Sequence, residues 1–264
     1  MRICSIASGS SGNCVYVGDN DTHILIDAGI SGKRVKAGLD AIGVDIKDIQ
    51  ALLITHEHSD HISGVGVLSR KYKMPIYSKE KTLKSLLKIR SVGVIDPALC
   101  NNLEADETFL VGAIEITPFA TTHDAVDPLC YTFKKGDKKI GFATDLGSYD
   151  EYIKEHLKGA NALYLEANHD VRMLEVGPYP FFLKQRILSD IGHLSNDLSA
   201  DLICDLYHEG LTHIILGHLS HENNMPDVAH ATVKHEIDRR LDLNEGQLHL
   251  HVAKRSENST LVEI

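Results

Sequence analysis

The sequence predicts an α/β (α+β) fold in which two mixed sheets stack and helices cover their outer faces. Three observations predict it. Short apolar runs bounded by turn residues alternate with stretches of helical periodicity in both halves of the chain. With 264 residues and 43% hydrophobic content, the chain is large enough to bury one sizeable core. No Pro/Ser-rich linker, low-complexity tract or internal repeat marks a boundary, so one domain over 1–264 is expected. A duplication too faint to see in sequence stays open.

The first thirty residues read as three short strands, Arg2 to Ala7, Cys14 to Val17 and His23 to Asp27, with Gly, Ser, Asn and Asp between them. Ser31 to Ile42 is a helix by its spacing. Ala51 to Thr55 is a compact apolar strand, Ile62 to Lys73 is helical, and Pro75 to Ser78 is a short strand before a basic helix. Ala113 to Thr117 is a strand, and Leu129 to Phe142 a hairpin turning at Lys135-Gly136-Asp137. A helix follows Asp145, then the strand Ala162 to Glu166 and helices around 179–190 and 197–208. The strand His213 to Gly217, the helix Pro226 to Arg240 and strands at 247–253 and 260–264 complete the chain.

Composition excludes some classes of protein. The N-terminal stretch MRICSIASGSSGNC lacks a charged lead and a long apolar run, and no segment approaches the roughly 18 apolar residues of a membrane span. Five scattered cysteines without a CxxC pair suit reduced thiols, so a cytoplasmic protein with no membrane association is expected. A net charge of -10 argues against gross attraction to polyanions. Residues 70–90 are the exception, with eight Lys or Arg against the single acid Glu80. Within them Lys81, Lys84 and Lys88 recur at helical spacing, either as a solvated face or as a grip on phosphates.

The chemistry concentrates in LLITHEHSDH, residues 52–61. His56 and His58 stand two apart, so an extended segment puts both imidazoles on one side, where they can hold one ion. Asp60 and His61 belong to the following turn and can hold a second. Nitrogen and carboxylate ligands without thiolate suit zinc, manganese or iron. Three further ionisable residues end apolar stretches: His123 after TPFATTH, Asp145 after IGFATD and His218 after HIILGH.

Together these residues resemble the metallo-β-lactamase-fold hydrolases, in the right order and through almost the whole chain. The resemblance implies a four-layered αββα sandwich and a dinuclear site. It assigns His56, His58 and His123 to one metal, Asp60, His61 and His218 to the other, and Asp145 to the bridge. His213 and His221 compete for the last position, but His213 opens its strand rather than ending it. Oxygen-reducing di-iron relatives carry a glutamate at the second position, where this chain has His58. Zinc or manganese is therefore favoured, as a pair ~3.5–4 Å apart that supplies a hydroxide nucleophile.

The reaction is read from other segments. LYLEANHD puts Glu166 at a strand end, and ILSDIGHLSND puts His193 before a helix capped by Ser195 or Asn196. Both resemble the acid and histidine motifs of the phosphodiesterase branch, where the histidine protonates the leaving oxygen and the glutamate orients it. In that assignment His193, Glu166 and Asp60 are the catalytic residues. The bland alternative makes His193 a helix cap and Glu166 an exposed strand end. The opening SIASGSSGNC is either a tight turn or a cradle for phosphate built on Ser8, Ser10, Ser11 and Asn13.

That opening, EANHD with His169, GHLSND and LGHLSHENN together resemble the YycJ/WalJ-type branch. The resemblance implies a 5′-to-3′ exonuclease acting on DNA, associated with mismatch repair. Only 21 residues separate His123 from Asp145 and 47 separate Asp145 from His193, which leaves no room for a large inserted cap. A nuclease of this form must grip DNA with rim lysines, from 70–90 or from Lys134, Lys135, Lys138 and Lys139. Two alternatives stand beside it: a small-molecule hydrolase acting on a cyclic phosphodiester or thioester, and a regulatory nucleic-acid-binding protein with a structural metal. No protein partner is indicated.

Overall fold

The structure is a computed structural model that describes residues 1–244 and 246–264. In chain order the elements begin with β1 (Arg2–Ala7), β2 (Cys14–Gly18), β3 (His23–Ile26), α1 (Gly32–Ala41), β4 (Ala51–Leu53), α2 (Ser59–Ile62) and α3 (Val65–Tyr72). They continue through β5 (Ile76–Ser78), α4 (Glu80–Leu86), β6 (Cys100–Asn102), β7 (Phe109–Val111), β8 (Ile114–Ala120), β9 (Leu129–Lys135) and β10 (Lys138–Ala143). Then come α5 (Glu151–Leu157), β11 (Ala162–Glu166), α6 (Val171–Val176), α7 (Phe181–Ile187), α8 (Asn196–Leu206) and β12 (His213–Gly217). The last are α9 (Pro226–Arg240), β13 (His249–Val252) and β14 (Val262–Glu263). The strands make two seven-stranded mixed sheets. The chain divides into two compact units, one of residues 1–120, 125–136 and 254–264, the other of 121–124 and 137–253.

In the first unit one sheet runs β14-β1-β2-β3-β4-β5-β6. Strands β1 to β3 pair antiparallel, while β3 to β6 pair parallel, with Ile26 opposite Leu53 and Leu52 opposite Ile76. A core of Leu25, Leu52, Ile54 and Ile76 packs with Val35 and Leu39 of α1 and Val65 and Leu68 of α3. Strands β7, β8 and β9 form an antiparallel run. Because β3 and β4 are parallel neighbours, the residues that follow them, Asp27 and Thr55, leave the sheet at the same edge. The predicted helix 62–73 forms only from Val65, as α3, and Ile62 instead closes the separate helix α2. A Cβ on Gly64 would lie 2.1 Å from the Ile30 carbonyl oxygen, and the Gly64 N–H donates to Ala28 at 2.7 Å, so the backbone is pinned there.

The second unit is built on the parallel strands β10, β11, β12 and β13. Ala143 pairs with Leu165, and Glu166 with Gly217. Asp145, Glu166 and His218 therefore emerge together at the carboxyl edge of three adjacent strands. Strand β11 is buried throughout, as a parallel strand covered on both faces must be. Helices α8 and α9 pack on each other. Ser195 caps α8, its hydroxyl accepting from the Leu198 N–H at 3.2 Å, which settles the choice between Ser195 and Asn196.

The basic stretch departs from expectation. Helix α4 ends at Leu86, so Lys88 lies in the following turn and only Lys81 and Lys84 share the helix. Lys84 pairs with Glu80 at 2.7 Å, and Asp127 draws both Lys79 and Lys81, at 3.0 and 3.5 Å. Of these acids only Asp127 lies outside the linear count, and it compensates part of the local positive charge.

Candidate metal centre

In the first unit His56 and His58 meet, His56 Nε2 lying 2.9 Å from His58 Nδ1 with the rings edge to face. Two nitrogens sharing one tetrahedral ion at 2.0–2.1 Å stand about 3.3 Å apart, so a small separation would seat a metal. Asp60 and His61 lie on α2, with His61 Nε2 3.5 Å from Asp60 Oδ2. The other ring nitrogen of His61 donates to Asp27 Oδ2 at 2.7 Å. Asp27 is fully buried and also accepts from the Thr55 N–H and hydroxyl, each at 2.8 Å. With its proton so committed, the Thr55 oxygen can accept from His56 Nδ1, 3.0 Å away.

The glycine-rich opening supports this half. The Gly12 N–H donates to the Gly9 carbonyl, the Gly9 N–H to Asn13 Oδ1 and the Asn13 N–H to the Asp60 carbonyl. Those three donors are spent inside the protein, and the turn places the Asn13 amide 3.1 Å from His61 Nε2. Gly29 admits the approach, since a Cβ there would sit 1.6 Å from the Asp60 oxygen. Ser8 is buried, while Ser10 and Ser11 are exposed. Glu57 accepts from the Val126 N–H at 2.9 Å, which fixes a loop.

In the second unit Asp145, Glu166, His193 and His218 form one cluster of donor atoms. Asp145 Oδ1 stands 3.6 Å from both His123 Nε2 and His218 Nε2. That is too long for hydrogen bonds and close to the spacing of two ligands on one ion. Each histidine is held by its other nitrogen: His123 Nδ1 donates to the Gly192 carbonyl at 3.1 Å, His218 Nδ1 to Glu166 Oε1 at 3.1 Å. Burial pushes His123 below its ordinary pKa against the opposing charge of Asp145, keeping the ring in the neutral form a metal requires.

Glu166 decides between the readings of this segment. It is fully buried, and its Oε1 accepts from His193 Nδ1 at 2.7 Å, while Oε2 accepts from the N–H groups of Leu146 and Leu194. Burial alone would raise its pKa, but the imidazoles of His193 and His218 hold it well below the usual carboxylate range. The bland alternative therefore fails on both counts: Glu166 is not exposed, and Ser195 rather than His193 caps the helix.

Asp27, Asp145 and His218 share a backbone feature, φ of 56°, 56° and 55°. Left-handed backbone costs a non-glycine residue about 1–2 kcal/mol. Here it occurs just past the ends of β3, β10 and β12, at residues that belong to the donor clusters or, like Asp27, hold a member of one. His213 pairs instead with His249 at the opposite end of β12, and His221 is exposed beside Glu222, so neither competes with His218. His169 is buried, with no hydrogen-bond partner at either ring nitrogen among the described residues. Asp27 is the functional residue the sequence reading missed.

A family model described as a Beta-lactamase superfamily domain matches residues 22–219. The chain belongs to the β-lactamase superfamily. It is 40% identical over 248 residues to Exodeoxyribonuclease YycJ of Bacillus anthracis, covering 91% of this chain and 90% of that protein. It is 42% identical over 241 residues to Exodeoxyribonuclease WalJ of Streptococcus pneumoniae serotype 2, covering 91% and 89%. Its structure is similar to that of the metallo-β-lactamase fold protein YhfI of Bacillus subtilis, with TM-score 0.70, 16% identity and coverage of 98% and 100%. The expected α/β class with two mixed sheets is thus the observed one, and this superfamily member is a metal-dependent hydrolase.

Proposed function

We propose that this chain is a dinuclear phosphodiesterase that degrades DNA from the 5′ end, in the cytoplasm and in the service of mismatch repair. The observation that carries the phosphodiester reading is the 2.7 Å contact between His193 Nδ1 and the buried Glu166, in the cluster that holds Asp145 and His218. His56, His58 and His123 would hold one ion, Asp60, His61 and His218 the other, with Asp145 between. The ions, zinc or manganese, supply Lewis acidity and an activated water when bound. Their fit rests on the donor set, all imidazole and carboxylate, and on the hydrogen bonds that fix Nδ1 of His61, His123 and His218.

The chain's own groups do the rest. Glu166 fixes the His193 ring by its Nδ1, which leaves Nε2 to give a proton to the departing oxygen, a step worth ~10²–10⁴-fold. Glu166 is shared with His218, so one carboxylate sets both the acid and a ligand. Ser10, Ser11 and His169 are assigned to the phosphate and nucleotide side, with Ser8 and Asn13 shaping the turn. Lys81, Lys84 and Lys88 are all exposed and serve as the backbone grip. The test is incubation of manganese- or zinc-loaded enzyme with 5′- and 3′-labelled single- and double-stranded DNA. Metal-dependent release of nucleotides from the 5′ end supports the assignment. Cleavage of a cyclic phosphodiester or an acyl thioester with intact DNA would replace it with the small-molecule reading.

A further inference from the structure

Most large apolar side chains of this fold are buried, but a cluster along Val176 to Ile191 is not. Phe181 and Phe182 are 77% and 74% exposed, and Val176, Leu188 and Ile191 are exposed with them. Large apolar side chains left exposed at this density along one segment mark a place of contact. Its position says with what. The two phenylalanines open α7, and His193 hangs from the other end of that helix. The Leu188 N–H donates to the Lys184 carbonyl, the Gly192 N–H to Ser189 and the His193 N–H to Ile187, at 2.8–3.0 Å. From Phe181 to Ile187 the helix rises about 9 Å, the length of two or three stacked nucleotides at ~3.4 Å each.

The chemistry agrees with the position. Adjacent phenyl rings offer flat faces, and every nucleobase has a face to stack on them whatever its sequence. Helix α7 carries Lys184 and Arg186 and no acid of its own; Arg186 pairs with Asp124, while Lys184, whose Nζ donates to the Glu175 carbonyl, keeps its positive charge. A second copy meeting this face through the same helix would bring like charge, whereas a polyanion is complementary to it. We propose that Phe181 and Phe182 form a stacking platform for bases two or three nucleotides from the scissile phosphodiester. The platform holds the strand end while His193 acts on the phosphate two or three nucleotides away. This rests on the phosphodiesterase reading above.

The test compares metal-loaded wild type with the Phe181→Ala/Phe182→Ala and Phe181→Tyr/Phe182→Tyr double variants. The probe is a fluorescent single-stranded phosphorothioate oligonucleotide, read by polarisation, alongside the same strand made abasic at its 5′ end. The alanine pair should weaken binding of the normal strand about tenfold or more, and the tyrosine pair should restore it. On the abasic strand wild type and both variants should agree. KM for DNA should rise in the alanine pair, while turnover of bis(4-nitrophenyl) phosphate, which has no bases, stays level. Equal affinity of wild type and the alanine pair for the normal strand, or no binding by either, overturns the platform. So does a wild-type dimer that the alanine pair dissociates in sedimentation, because the patch is then an interface between copies. Failure of wild type to cleave any phosphodiester counts against the function, while the binding comparison still judges the platform.

Discussion

At His61, His123 and His218 the same device recurs: Nδ1 is tied to an oxygen, of Asp27, Gly192 and Glu166 respectively, and the opposite nitrogen faces the donor cluster. Asp27 bears the most of this load in the first unit. Asp27→Ala strips the acceptor from Thr55 and His61, and should cost about 3 kcal/mol in denaturant unfolding. Metal affinity, read by chelator competition, should fall 10–100-fold. His193→Ala should keep its metal and its DNA affinity but lose about 10²–10⁴-fold in turnover; unchanged turnover would remove the acid from the mechanism. His169 predicts a pH dependence. Burial holds it at about 4, against an ordinary 6.5. Between those values the unfolded chain binds a proton that the folded chain refuses, so stability falls as pH drops from 6.5 toward 4, by about 3 kcal/mol in all. Unfolding curves at pH 7, 5.5 and 4.5 should show a shallower decline for His169→Phe than for wild type.

At the level of elements, strand ends carry the candidate ligands. Apolar runs closed by an ionisable residue located Asp145 and His218, and the bounds of β1, β11, β12 and α9 agree with the spacing in sequence. HILID has the same form and ends at Asp27, but no motif drew attention to it. Strands β6 and β7 are three residues long, too short to display a period of two, and α6 is a six-residue helix of the same kind. The break at Gly64 is set by the Ala28 and Ile30 carbonyls, contacts distant in sequence that no local pattern encodes. Helix α8 bears on the proposed acid because its cap lies two residues beyond His193. Ser195→Ala should destabilise the fold by about 1 kcal/mol, visible as a lower denaturation midpoint. A loss much larger than that would mean Ser195 holds more than the helix.

For the whole molecule, the superfamily was legible because THEHSDH packs four ionisable ligands into six residues, a density that a solvated loop has no reason to carry. Electrostatics was legible only in part. The excess of lysine at 70–90 is plain in sequence, but Asp127, which meets Lys79 and Lys81, is distant along the chain. The central claim is that two ions, held by imidazole and carboxylate, serve one phosphodiester reaction. The most direct measurement is a stoichiometric titration of metal-stripped protein with manganese or zinc, following nucleotide release from labelled DNA. The account predicts no release without metal and a plateau at about two equivalents per chain. Full release from stripped protein in the presence of chelator would contradict it.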